Sequence, residues 1–107
     1  MKIDLYYFDG CPSWQPGLEN LRSALALEEA QAEVNLVNVR SDEDAQRVHF
    51  LGSPSFVVDG MDLWTESREE YHLSCRVYRT PAGFRGVPTV EMLREKLHPH
   101  VHKAQPA

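Results

Sequence analysis

Apolar and polar residues alternate at the start of the chain, and this alternation predicts a β-strand over residues 2–8. Ile3, Leu5 and Tyr7 are expected to share one face of that strand, because alternate side chains point to the same side of a sheet. The Asp9–Gly10 pair that follows is a turn signal, so the strand is expected to end there.

Helical spacing begins after this turn. Leu18, Leu21 and Leu25 form one apolar stripe, which predicts an amphipathic helix that ends near Gln31. Pro12 suits the first turn of this helix, because the N–H that a proline lacks has no partner at that position.

The remaining elements follow from the same kinds of pattern. They are a strand over 34–39, a short helix that Ser41 caps and that ends near Phe50 with Gly52 as its stop, strands over 55–58 and 75–79, and a last helix that carries Val90, Leu93 and Leu97 and stops at Pro99. The predicted order is β-α-β-α-β-β-α. A β-α-β start gives parallel strands, and the closing β-β-α gives an antiparallel pair with a covering helix. We therefore predict an α/β domain over residues 1–98, followed by a flexible tail over 99–107.

Composition and charge narrow the possible partners. The 107 residues are 42% apolar and 25% charged, as in one globular domain, and the net charge of −5 argues against nucleic acid or an anionic membrane as a partner. No apolar run approaches the roughly 18 residues of a membrane-spanning helix, and Asp4 interrupts any leader-like start. Two cysteines are too few for a disulfide framework, so a cytoplasmic location is expected.

Cys11 is the first candidate for chemistry, because it lies between the first strand and the first helix. A helix N-terminus presents unpaired N–H groups and partial positive charge, and both favour a thiolate over a thiol. Asp9 opposes this effect, and residues 3–21 contain no basic side chain. We therefore expect a moderately activated nucleophile at Cys11.

Two segments carry a resemblance to a known superfamily. Residues 7–14 (YFDGCPSW) follow the first strand, and residues 52–56 (GSPSF) precede the third. Together with the element order, they resemble the thioredoxin-like superfamily, and in particular small bacterial members with a Gly-Cys-Pro-x-Trp start. The resemblance covers roughly residues 2–97 and implies a four-stranded mixed sheet flanked by helices.

The resemblance also implies roles for individual residues. Pro54 would follow a cis peptide bond close to the Cys11 sulfur, and the backbone of Ser53 would pair with an extended peptide or a glutathione-like ligand. Pro12 and Trp14 are further candidates for substrate contact. For Trp14 the competing interpretation, which we favour, is packing on the loop that follows. Trp64 would cover the sheet edge or supply a dimer contact, and packing is favoured there as well.

The sequence departs from the superfamily at one decisive position. Dithiol members carry Cys-x-x-Cys, whereas Trp14 stands three residues after Cys11. The expected function is therefore a monothiol thiol–disulfide oxidoreductase in which Cys11 attacks a protein or small-molecule disulfide. A low-molecular-weight thiol would be the cosubstrate, with no tightly bound cofactor. The expected state is a monomer or a weak homodimer.

Cys75 is the other cysteine, and two interpretations of it stay open. On the predicted topology its strand begins at the end of the sheet away from Cys11, which makes Cys75 a small buried residue. The alternative is that the long 61–74 connection folds back and brings Cys75 within the about 7 Å between Cα atoms that a disulfide needs.

Two other function classes remain as alternatives. One is a redox-inert thioredoxin-like module that binds a protein partner, and the weaker one is capture of a metal or mercurial by Cys11 and Cys75. The alternating histidines near the C-terminus suggest a metal only if the segment is extended, and we favour a solvated tail without a metal site. These histidines are His98, His100 and His102.

Overall fold

The computed structural model describes residues 1–102, which form three helices and six strands. In chain order the elements are β1 (Lys2–Tyr7), α1 (Trp14–Leu27), β2 (Glu33–Asn38), α2 (Asp42–Val48), β3 (Ser55–Val58), β4 (Met61–Asp62), β5 (Tyr78–Thr80), β6 (Gly83–Arg85) and α3 (Val90–Val101). The predicted α/β class is confirmed.

The main sheet has four strands in the order β2-β1-β3-β4. Strand β1 pairs in parallel with β2, where Ile3 faces Val34, and antiparallel with β3, where Leu5 faces Phe56. Strand β4 extends the antiparallel part of the sheet. The predicted four-stranded mixed sheet and its parallel β-α-β start are therefore confirmed.

The predicted identity of the fourth strand is wrong. A tight turn at Asp59 and Gly60, whose φ angles are 48° and 90°, brings β4 back to pair with β3. Strand β4 therefore occupies the edge position beside β3. The segment predicted as the fourth strand, residues 75–79, lies outside this sheet. Its last residues belong to β5, which pairs only with β6 in a separate hairpin. The observed order is β-α-β-α-β-β-β-β-α.

Helices α1 and α3 cover one face of the sheet and contact each other. Their apolar stripes meet the inward residues of β1 and β3, as the helical and strand spacings predict. A smaller cluster of Val39, Ala45 and Phe50 covers the opposite face. The buried residues of the larger layer are Ile3, Leu5, Leu21, Ala24, Leu25, Phe56, Val58, Tyr78, Leu93 and Leu97.

The predicted end of the last helix at Pro99 is also wrong, because α3 continues to Val101. Proline removes one hydrogen bond inside a helix, but contacts with the rest of the protein stabilise the turn around Pro99. His98 bonds with Glu28 at 2.9 Å, and Val101 packs against the core. Residues 103–107 of the predicted tail lie outside the described residues.

The other two helices end earlier than predicted. Helix α1 stops at Leu27, and Glu29 then adopts a left-handed conformation with φ of 52°. Helix α2 stops at Val48, and His49 is its left-handed cap with φ of 54°. Over residues 1–102, no helix combines the length and the apolar character that crossing a bilayer would require.

Candidate active site

Cys11 lies in the connection from β1 to α1, just before the helix cap Ser13. The backbone N–H of Cys11 donates to the carbonyl of Phe8 at 3.1 Å, so a tight turn sets the position of the cysteine. The residue is 3% exposed. The predicted location of Cys11 before the helix is confirmed, and its burial is a property that the sequence does not show.

The loop before β3 contacts Cys11 directly. The Ser53–Pro54 peptide bond is cis, as expected, and the Cys11 thiol donates to the Ser53 carbonyl at 3.5 Å. The buried Tyr78 hydroxyl donates to the Pro54 carbonyl at 2.5 Å. On the other side, a Cβ on Gly17 would lie 2.9 Å from the Pro54 side chain, so α1 can approach the loop only because this residue is glycine.

The backbone of Ser53 already has a partner within the chain. Its N–H donates to the Ser74 carbonyl at 2.8 Å, and its carbonyl accepts from the Arg76 N–H at 3.0 Å. These bonds form a parallel bridge between Ser53 and Cys75. The pairing that the resemblance assigns to an external peptide is therefore made by residues 74–76, which we call the inserted segment.

Gly52 makes this pairing sterically possible. Its φ is 110°, and a Cβ at this position would lie 3.0 Å from both the Cα and the backbone N of Arg76. The sequence analysis assigned Gly52 as the stop of α2, which is wrong because that helix ends at Val48. The glycine instead allows the inserted segment to lie against the loop.

The inserted segment brings the two cysteines together. Both are free and both lie at Ser53, because the Cys11 thiol donates to the Ser53 carbonyl and Cys75 forms the parallel bridge with Ser53. Partial burial raises the pKa of Cys75, and the charge of Cys11 and the contact between the two sulfurs raise it further. Cys75 is exposed, whereas Cys11 is buried. The interpretation of Cys75 as a buried residue distant from Cys11 is therefore wrong.

Arg76 anchors the inserted segment, and sequence analysis missed it. Its side chain is 6% exposed and pairs with Asp62 at 2.8 Å, donates to Ser55 Oγ at 3.0 Å, and also bonds to the Trp64 carbonyl. An arginine between a cysteine and a valine gives no signal of burial. The valine, Val77, is instead 63% exposed, so the polar side chain of this pair is inside.

The other aromatic and proline candidates are Trp14, Trp64 and Pro12. Trp14 stacks on Tyr7 with ring centroids 4.2 Å apart, and Trp64 packs edge-on against Tyr78 at 5.0 Å, which agrees with the favoured packing interpretations. Pro12 is exposed and lines an open groove. The groove also includes Ser13, Pro16, Arg85, Gly86 and Pro88.

The histidine candidates do not join the thiols. His72 contacts the carboxylate of Glu70 at 3.3 Å. The C-terminal histidines are helical rather than extended, so His98 and His102 approach each other across one turn, with ring centroids 4.2 Å apart.

Comparisons with protein-family models, curated proteins and solved structures give no significant match to this chain. Both free cysteines lie at the cis-proline loop, each in contact with Ser53.

Proposed function

We propose that this protein is a thiol–disulfide oxidoreductase of thioredoxin-like fold that cycles between a dithiol and a Cys11–Cys75 disulfide. The observation that carries the proposal is the contact of both free cysteines with Ser53, Cys11 through its thiol and Cys75 through the backbone bridge. This contact supports an internal second thiol, which the sequence lacks at Trp14. It favours a dithiol cycle over the monothiol cycle that the sequence alone suggests.

The exposure of the two sulfurs favours Cys75 as the thiol that meets the substrate. In the oxidising half of the cycle, the Cys75 thiolate attacks an external disulfide, forms a mixed disulfide and releases one substrate thiolate. The Cys11 thiolate then attacks the Cys75 sulfur and expels the second substrate thiolate. Two electrons pass from the protein to the substrate disulfide, and the released thiolates take up protons from solvent.

The return half needs a low-molecular-weight thiol as cosubstrate. One such thiolate attacks the exposed Cys75 sulfur of the internal disulfide and releases the Cys11 thiolate. A second attacks the resulting mixed disulfide, which regenerates Cys75 and leaves the cosubstrate as its own disulfide. The roles of the cysteines are thus the reverse of those expected from the sequence. A reducing compartment such as the cytoplasm fits the two free thiols.

This proposal is tested by equilibrating the protein with reduced and oxidised glutathione. The sample is then quenched with acid and alkylated, and its intact mass is measured. The wild type should lose the mass of two hydrogens and become resistant to alkylation, and neither cysteine should carry a glutathione adduct. Cys11→Ser should instead accumulate a glutathione adduct at Cys75, because no second thiol resolves it. A wild type that gives only glutathione adducts would support the monothiol cycle. A wild type that forms neither product in any redox buffer would be the redox-inert binding module.

Capture of a soft metal ion is the second candidate function, and the placement of both free cysteines at Ser53 favours it. Two adjacent sulfurs suit ions that prefer thiolate ligands, such as Hg²⁺. This function predicts one-to-one binding that either single serine variant weakens strongly. It also predicts that the wild type does not turn over a disulfide substrate, which separates it from the oxidoreductase.

A further inference from the structure

A second group of chemically competent side chains lies where the end of α1 meets the end of α3. The carboxylate of Glu28 accepts from His98 Nδ1 at 2.9 Å, and His102 Nε2 lies 3.9 Å from the same oxygen. One donor atom from each of the three residues lies within 4.8 Å of the others. The cluster belongs to neither the thiol site nor the cis-proline loop.

We propose that Glu28, His98 and His102 bind a divalent transition-metal ion of the Zn²⁺ class. Two imidazoles and one carboxylate form a three-ligand set that leaves a fourth position for water. Metal–ligand bonds of about 2.0–2.2 Å place tetrahedral donors roughly 3.3 Å apart, so donors that lie within 4.8 Å must close by at most about 1.5 Å. The two histidines are exposed side chains and can make this movement.

The backbone prepares two of the ligands. His98 lies in the last turn of α3 and His102 caps the helix, with its N–H bonded to the His98 carbonyl, so the two residues keep the four-residue spacing that places side chains on one face. Their rings are already adjacent, with centroids 4.2 Å apart. Both imidazoles approach the same oxygen of Glu28, His98 at 2.9 Å and His102 at 3.9 Å.

The third ligand is held in place by its surroundings. The Glu28 side chain is 7% exposed, and Arg94 Nε donates to its second oxygen, Oε2, at 3.0 Å. This bond leaves Oε1 facing the histidines and fixes the plane of the carboxylate, as outer partners of metal ligands do. Arg94 adds positive charge nearby, and its second partner, Glu91 at 3.1 Å, offsets that charge.

Calorimetric titration of the full chain with Zn²⁺ tests the site, in a Cys11→Ser, Cys75→Ser background so that the thiols do not contribute. One ion per chain should bind, and His98→Ala or His102→Ala should weaken binding by at least about tenfold. His100→Ala is the matched control, since it removes an imidazole from the same helix outside the cluster. His102→Ala leaves the His98–Glu28 bond intact, so misfolding does not explain a loss there.

A second measurement keeps the test independent of variant stability. In ¹H–¹⁵N spectra of the wild-type chain, Zn²⁺ should shift the His98 and His102 resonances separately from those of Cys11 and Cys75. Binding that His100→Ala weakens as much as His102→Ala, or Zn²⁺ shifts confined to the cysteines, would overturn the proposal. Failure here would leave the thiol cycle untouched, because the cluster shares no residue with it.

Discussion

Gly52 and Arg76 approach so closely that a Cβ on Gly52 would lie 3.0 Å from the Cα of Arg76. The φ of Gly52 is 110°, a conformation that other residues adopt only with strain. Gly52→Ala should therefore both strain the loop and push the inserted segment away from Ser53. We expect a loss of roughly 1–3 kcal/mol in the free energy of unfolding from the strain, and more from the clash. Urea unfolding measures the total.

Gly60→Ala is the matched control for this substitution. Gly60 also has a positive φ, 90°, but a Cβ there meets nothing within 4 Å. It therefore reports the backbone strain without the clash. Gly52→Ala should cost more stability than Gly60→Ala and should slow formation of the Cys11–Cys75 disulfide, whereas Gly60→Ala should leave that rate unchanged. Equal effects would show that the close approach contributes nothing.

The buried ion pair of Arg76 with Asp62 is the next testable feature. Arg76→Met leaves the Asp62 carboxylate, which is 12% exposed, without its charged partner. Breaking such a pair from one side costs about 3–5 kcal/mol of folding free energy. Chemical denaturation of the single variant measures this loss.

The double variant Arg76→Met, Asp62→Leu should recover most of that stability, because it removes the orphaned charge as well. A double variant as unstable as the single one would instead assign the loss to the other bonds of Arg76, those to Ser55 and Trp64.

The periodic spacing of apolar residues predicted the strands and helices whose buried faces follow that spacing. Strand β3 has the predicted bounds, Ser55–Val58, and the Leu21 and Leu25 stripe of α1 lies in the core. Position 77 shows why the same reasoning failed later. An apolar Val77 predicts an inward side chain, yet the ion pair of Arg76 draws the polar neighbour inside and leaves the valine exposed.

The sequence predicted only the part of the candidate site that Cys11 and the cis-proline loop form. Cys11 and the Ser53–Pro54 loop follow from sequence motifs, and their contact is confirmed. The position of Cys75 depends on a steric property of Gly52 and on a long-range ion pair, neither of which leaves a periodic signal. For the same reason, the pairing of Ser53 with the inserted segment was not predicted.

Acid should weaken the fold through Glu28. Hydrogen bonds from His98 and then Arg94 lower the pKa of its carboxyl in the folded chain. The ionised carboxylate therefore contributes stability above the carboxyl's usual pKa, and this contribution is lost as the pH falls through the lower, folded value. Urea unfolding at a series of pH values from neutral to acid measures the slope. Glu28→Gln should be less stable at neutral pH and should show a shallower decline in acid. Parallel curves for the two proteins would contradict this assignment.

Alkylation of Cys75 should require a higher pH than alkylation of an ordinary cysteine. Burial, the charge of Cys11 and the contact with its thiol all raise the Cys75 pKa, so less thiolate is present at neutral pH and the reaction is slower. The rate of labelling by iodoacetamide is followed by peptide mass analysis between neutral and alkaline pH, and the midpoint of its pH dependence gives the pKa of Cys75.

Cys11→Ser should lower this midpoint, because it removes the second charge and the sulfur contact. The midpoint should still stay above the ordinary value, because the burial remains. An unchanged midpoint in Cys11→Ser would mean that the two sulfurs do not interact in solution, and it would contradict the dithiol cycle.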